Sequence, residues 1–221
     1  MVSEGTDATD VEPTPTPRRR RRRRRPDETK AKIVEATHAL MSDGGAASLT
    51  TAAIAKAAGV SEGIIFHHFG SKKGLLQAVA TDIGRGVAMA MFQGMAPGQR
   101  PDVHRMIRAV FEFVQKRGKM NDLMLMSRDL EEANAALNAQ RMVIVGSLTQ
   151  AFTQWKALGY IETSSPEIAA ALLFGLVESG LHDCFVRGDG ERMDAYIEEA
   201  VACIEGALCY EGPEPDARDE R

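Results

Sequence analysis

The sequence predicts an all-α protein of about nine helices. Three observations carry this. Apolar residues return at spacings of three and four along most of the chain, no stretch alternates apolar and polar residues convincingly, and Gly and Pro fall between the periodic segments. Ala, Leu and Met are plentiful, and all three are good helix formers. At 221 residues the chain is long enough for a substantial core, in one or two domains.

The elements follow in order. Residues 1–17 are acidic and rich in Thr and Pro, a composition that buries too little apolar surface to fold. Eight arginines come next: Arg18, Arg19, Arg20, Arg21, Arg22, Arg23, Arg24 and Arg25. They carry +8 of a chain whose net charge is −4, so the remainder carries −12. A basic end on an acidic body is the distribution expected where one end meets nucleic acid. Two readings of the block stay open: a solvated polycation, or an arm reaching the minor groove or backbone of DNA.

A first helix is predicted from Asp27 to Ser42, with Ile33, Ala36, Thr37, Leu40 and Met41 as its inward stripe. Residues 50–73, TTAAIAKAAGVSEGIIFHHFGSKK, then read as two short helices joined by a tight turn. Thr50 or Ser48 caps the first, Gly59 ends it, and Ser61 caps the second. Ile54 and Ala58 point inward from one, Ile65 and Phe69 from the other. This is a helix-turn-helix, and its second helix is of the kind that enters a major groove. Ser71 opens a long fourth helix through Leu75, Leu76, Val79 and Ile83 towards Phe92, the one mechanical link between the two ends of the chain.

A fifth helix carries Val103, Ile107, Val110 and Val114, and residues 120–126 suggest a short sixth. A long seventh is expected from Arg128 to Leu158, closed by Gly159. Ser165 caps an eighth helix with Pro166 in its first position. That helix, to about Val186, is apolar on more than one side, beyond what one core needs, which suggests a subunit interface. A ninth runs from about Met193 to Leu208, and the charged, Pro-containing end reads as a disordered tail.

The motif AxxAGVSxGxxFxHFxSKxxLL resembles the DNA-binding domain of the TetR family of bacterial regulators. It is carried by Ile54, Ala55, Ala58, Gly59, Val60, Ser61, Gly63, Ile65, Phe66, His68, Phe69, Ser71, Lys72, Leu75 and Leu76. The resemblance is strong over residues 28–80 and weak beyond. With composition marking a disordered arm over 1–26 and a tail over 211–221, the expected organisation is a three-helix DNA-binding domain over 27–82 and, as the resemblance implies, a helical effector-binding and dimerisation domain over 83–210. Carried over residue by residue, it places Glu62, Gly63, Ile64 and His67 towards base edges, and Thr50, Thr51, Phe66, His68 and Lys72 towards phosphates. Ser61, Lys73 and the arginine block complete the expected DNA contacts. Glu62 suits a cytosine N4 donor and Ile64 a thymine methyl. Adjacent His67 and His68 diverge on a helix and make a poor metal pair, so no metal and no cofactor is expected. Three departures stand out. Phe66 replaces a common tyrosine and cannot hold a phosphate, Ile64 replaces a common threonine, and Gly74 replaces a common acidic residue. Lys73 and the arm are expected to compensate.

The resemblance also implies a two-fold homodimer reading a palindromic operator in double-stranded DNA, with Leu172, Leu176, Leu181, Tyr196, Cys203 and Leu208 near the seam. The Met-rich stretch before it suits adaptable apolar binding. Met89, Met106, Val110, Phe111, Met124, Phe152 and Trp155 are candidates for a small-molecule effector pocket, mostly apolar because few charges fall on the inward stripes; simple core packing is the competing reading. The expected protein is a repressor released by its effector. An effector-independent regulator, a helical enzyme and a polycationic nucleic-acid binder are the alternatives. No nucleophile–base pair, phosphate-binding Gly loop or metal cluster supports an enzyme. The three cysteines lack Cys-x-x-Cys spacing and read as buried thiols. The longest apolar run, Ile168 to Val177, is about half a membrane span, and the amino terminus lacks a signal-peptide pattern, so a cytoplasmic protein without membrane contact is expected.

Overall fold

The computed structural model describes residues 26–44, 49–96, 98–117 and 130–210. These form eight α-helices and one 3-10 turn: α1 (Pro26–Gly44), α2 (Thr51–Ala58), α3 (Glu62–Phe69), α4 (Lys72–Phe92), α5 (Val103–Arg117), α6 (Leu130–Ala157), α7 (Pro166–Phe185), the turn Gly190–Arg192, and α8 (Met193–Ala207). The short helix expected over 120–126 lies outside the described residues, as do the arginine block, Ser48 and the tail. The helix expected from Arg128 to Leu158 is α6, and Arg128 lies outside the described residues.

Helices α1 to α3 enclose a small, tight core. Ile33, Met41, Ile54, Ala58 and Ile65 are all at 0% exposure, as the spacings of three and four require. Thr37 is buried with them, and its hydroxyl donates to the Ile33 carbonyl at 2.8 Å, so its own polar group is satisfied. Thr50 caps α2 by accepting from the Ala53 amide at 3.1 Å. Gly59 closes it at φ 64°, a left-handed conformation that a Cβ would strain. Ser61 stands at the N-cap of α3, but its side chain makes no capping bond, contrary to expectation. Phe69 is half-buried, with the Lys30 ammonium 5.6 Å from its ring centre.

Helix α4 leaves this domain and enters the next without a break. The expected boundary at 82/83 therefore falls inside a helix that belongs to both. His38 of α1 meets Asp82 of α4 at 3.0 Å on the first side. On the other side α4 packs along α6, the most extensive helix pair among the described residues. An added Cβ at Gly84 would sit 2.9 Å from the Gln140 carbonyl, so glycine permits this close approach. Helices α5, α7 and α8 complete the second layer. The Ser165 hydroxyl caps α7 by accepting from Ile168 N at 3.3 Å. After α8 the chain returns over α5: Tyr210 donates its hydroxyl to the Pro101 carbonyl, and burial pushes that phenol up to about 12. Of the cysteines, Cys184 is buried, and desolvation raises its thiol above the usual value. Cys203 and Cys209 are exposed, because they fall on the outer side of α8 and just past its end.

Candidate nucleic-acid interface and ligand cavity

Helix α3 stands proud of the first domain. Only Ile65 is buried, while Glu62, Gly63, Ile64, Phe66 and His67 are exposed and His68 is half-buried. Ile64 and Phe66 are 37% and 46% exposed, so two large apolar side chains face outward from an eight-residue helix. Ser61 and Thr50 flank it in the open, and Thr51 is half-buried. The His67 and His68 rings stand edge to face, 5.3 Å between centres. Among the described residues no group of three or more His, Cys, Asp or Glu side chains is placed to hold a metal ion. Gly74 has its own reason: a Cβ there would overlap the Phe69 carbonyl, so a larger residue would require the backbone before α4 to shift.

Two features of this face lie beyond sequence reasoning. Thr51 of α2 donates its hydroxyl to Glu62 of α3 at 2.5 Å. Lys72 and Lys73, in the first turn of α4, reach across to α6: Lys72 lies 3.6 Å from Glu132, and Lys73 is hydrogen-bonded to Glu131. The two lysines expected at the phosphates are thus partnered by carboxylates of the second domain. These partners are about sixty positions away in the chain, and no local pattern announces them.

The second domain contains a cavity of about 580 Å³. Its lining is mostly apolar, from α4 (Ile83, Val87, Met91) and from α5 to α8. Of the expected pocket residues, Met106, Val110, Phe152 and Trp155 line it. Met89 does not: it is 73% exposed, because it lies two residues from Val87 and from Met91 and therefore on the opposite side of α4. Phe111 is also off the cavity, fully buried with its ring 6.3 Å from that of Phe185. Met124 lies outside the described residues. Polar side chains that inward stripes did not reveal also line the space, among them Gln140, Arg141, Glu178 and His182.

Of the expected seam residues, Leu172 is 69% exposed and Leu176 37%, and with Ile168 at 63% they make one outward stripe at spacings of four along α7. Cys203 is exposed on α8. Leu181 and Leu208 point elsewhere, into the cavity lining, and Leu208 is only 3% exposed. Tyr196 is half-buried and its hydroxyl donates to Asp183 at 3.2 Å. By length and composition α7 is also the one helix among the described residues able to cross a membrane, because Glu178 interrupts its apolar run without ending the helix.

Comparison with known proteins agrees with this architecture. The family described as bacterial regulatory proteins, tetR family, matches residues 33–79. The HTH-type transcriptional regulator BetI 1 of Chromohalobacter salexigens is 38% identical over 96 residues, which is 42% of this chain and 45% of that protein. BetI of Cronobacter sakazakii is 35% identical over 83 residues, 38% of this chain and 41% of that protein. The chain thus spans less than half the length of these curated relatives. Among solved structures, GusR of Salmonella enterica superposes with a TM-score of 0.61 at 21% identity, covering 82% of this chain and 96% of that one. RolR in complex with resorcinol superposes with a TM-score of 0.62 at 17% identity, covering 84% and 90%. These last two are likenesses of fold. Over residues 33–79, then, the chain carries a helix-turn-helix domain that matches the tetR family of bacterial regulatory proteins.

Proposed function

We propose that the protein is a cytoplasmic transcriptional repressor that binds a palindromic operator in double-stranded DNA as a homodimer and is released by a small, mainly apolar effector. One observation carries the reading. Helix α4 is unbroken from Lys72, beside the exposed helix α3, to Ile83, Val87 and Met91 in the wall of the cavity. A ligand in that space therefore touches the element whose first turn stands at the DNA.

The energetics follow. The ligand shifts DNA affinity only by as much as its own affinity differs between DNA-competent and DNA-incompetent states. The Lys72–Glu132 and Lys73–Glu131 pairs tie the first turn of α4 to α6, which also lines the cavity. Ligand-driven movement of α6 thus reaches the expected phosphate contacts directly. The outward stripe of α7 supplies the seam. Two exposed leucines and an isoleucine on one side of a helix suit a second protomer's apolar surface, and this reading covers them without invoking a bilayer. The TetR family consists of regulatory proteins, and the relatives above are named transcriptional regulators, which supports regulation over catalysis.

The test is selection of genomic DNA by the purified full chain at near-physiological salt, beside a variant lacking residues 1–25. Recovery of one palindromic site by both proteins, more weakly by the variant, is the expected result. Compounds are then screened for release of that site. Recovery of no preferred sequence, with binding lost on removing the arginines, overturns the reading in favour of a polycation.

A further inference from the structure

Thr51 and Glu62 come from the two helices of the helix-turn-helix, eleven residues apart, and meet at 2.5 Å between Thr51 Oγ1 and Glu62 Oε2. That is the separation of a hydroxyl donating to an ionised carboxylate. The neighbouring hydroxyls are used differently. Thr50 accepts the Ala53 amide, and Ser61 makes no capping bond to α3. A hydroxyl has a single hydrogen to give. With that hydrogen on Glu62, Thr51 has none left to donate to a phosphate, the role that its position suggested.

Glu62 itself is exposed in the first turn of α3, and among the described residues no ion pair joins it to a cation. A carboxylate on a DNA-facing helix is repelled by phosphates, so it costs affinity unless a donor in the groove meets it. The major-groove donors are the amino groups of cytosine and adenine. Adenine sets its N7 acceptor beside that amino group, where it opposes the carboxylate. Cytosine has no such acceptor.

Resting on the operator-binding reading above, we infer that Thr51 is a positioning residue for base readout: it holds one oxygen of Glu62 so that the other takes the amino group of a cytosine in each operator half-site.

The experiment uses the full chain with an operator recovered by selection, and measures affinity for every single-base change in a half-site. In the wild type, one position prefers cytosine over the other bases by about tenfold. In Thr51→Val that preference falls to about twofold or less, while preferences elsewhere in the half-site are kept. Thr51→Ser, which keeps the hydroxyl, restores it. Glu62→Gln moves the preference at the same position towards adenine, which a side-chain amide can hold through two bonds. Should Thr51→Val fold poorly, Thr51→Ala removes the same hydroxyl and carries the test, with the same loss of cytosine preference expected. Equal weakening at all sequences in Thr51→Val, with the cytosine preference intact, overturns the inference and returns Thr51 to the phosphates. So does a Glu62→Gln variant with unchanged preference at every position. Failure of the wild type to select any site is a different result: it sinks the operator-binding reading and this inference with it.

Discussion

Helices α3 and α7 both push large apolar side chains into solvent, and they do so in opposite surroundings. On α3, Ile64 and Phe66 share eight residues with Glu62, His67 and His68, and Lys72 and Lys73 follow immediately. On α7, Ile168, Leu172 and Leu176 stand on a stretch whose sole ionisable side chain from Ile168 to Leu181 is Glu178. An apolar contact framed by charge suits a groove, where thymine methyls lie between phosphates. An apolar stripe without charge suits another protein surface, whose centre is depleted of charged residues. Exposure alone does not distinguish the two; the neighbours do.

The largest expected effect comes from charging the α7 stripe. Ile168→Glu with Leu172→Glu converts the dimer to monomers in sedimentation and lowers operator affinity by at least about a hundredfold, because two linked half-site contacts become one. A variant that remains dimeric removes α7 from the seam. Next comes the charge around α3. Neutralising both lysines, as Lys72→Gln with Lys73→Gln, lowers the slope of log affinity against log salt by about two. The converse pair, Glu131→Gln with Glu132→Gln, removes the competing carboxylates and tightens operator binding by about three- to tenfold in fluorescence anisotropy. Looser binding instead shows that the glutamates support the lysines' placement. The smallest effect is Phe66→Tyr, which adds a phosphate donor to the exposed face of α3 and tightens binding by about two- to fivefold. No change there means that this ring does not approach the backbone.

Local signals made much of the first domain legible. The Thr50 cap, the left-handed Gly59 and the inward Ile54 and Ile65 all depend on residues within one or two turns of each other. The second domain was legible as helices but less so as surfaces. Helix α7 is apolar on several sides, so spacing alone could not say that Leu172 faces out while Leu181 and Leu208 face the cavity. That choice is made by how α7 is rotated against α5, α6 and α8. Met89 is different: its phase sets it opposite Val87 and Met91 on α4, which periodicity reveals and Met-rich composition does not. The Thr51–Glu62 and lysine–glutamate contacts join separate elements, and only the packed structure brings them together.

Helix α4 is also a lever. Its 21 residues, at a rise of about 1.5 Å each, make a rod about 30 Å long. Pivoted at Val87 in the cavity wall, about 22 Å from its first residue, a tilt of about 5° swings that end by about 2 Å. A hydrogen bond tolerates about half an ångström of stretch. On the proposed reading a ligand therefore has no need to unfold anything: a small tilt of the helix wall is enough to move Lys72 and the helix before it relative to a phosphate. In a two-fold dimer the two swings add, so the span between recognition helices changes by about twice that amount, against the one-turn separation of about 34 Å that successive major grooves present.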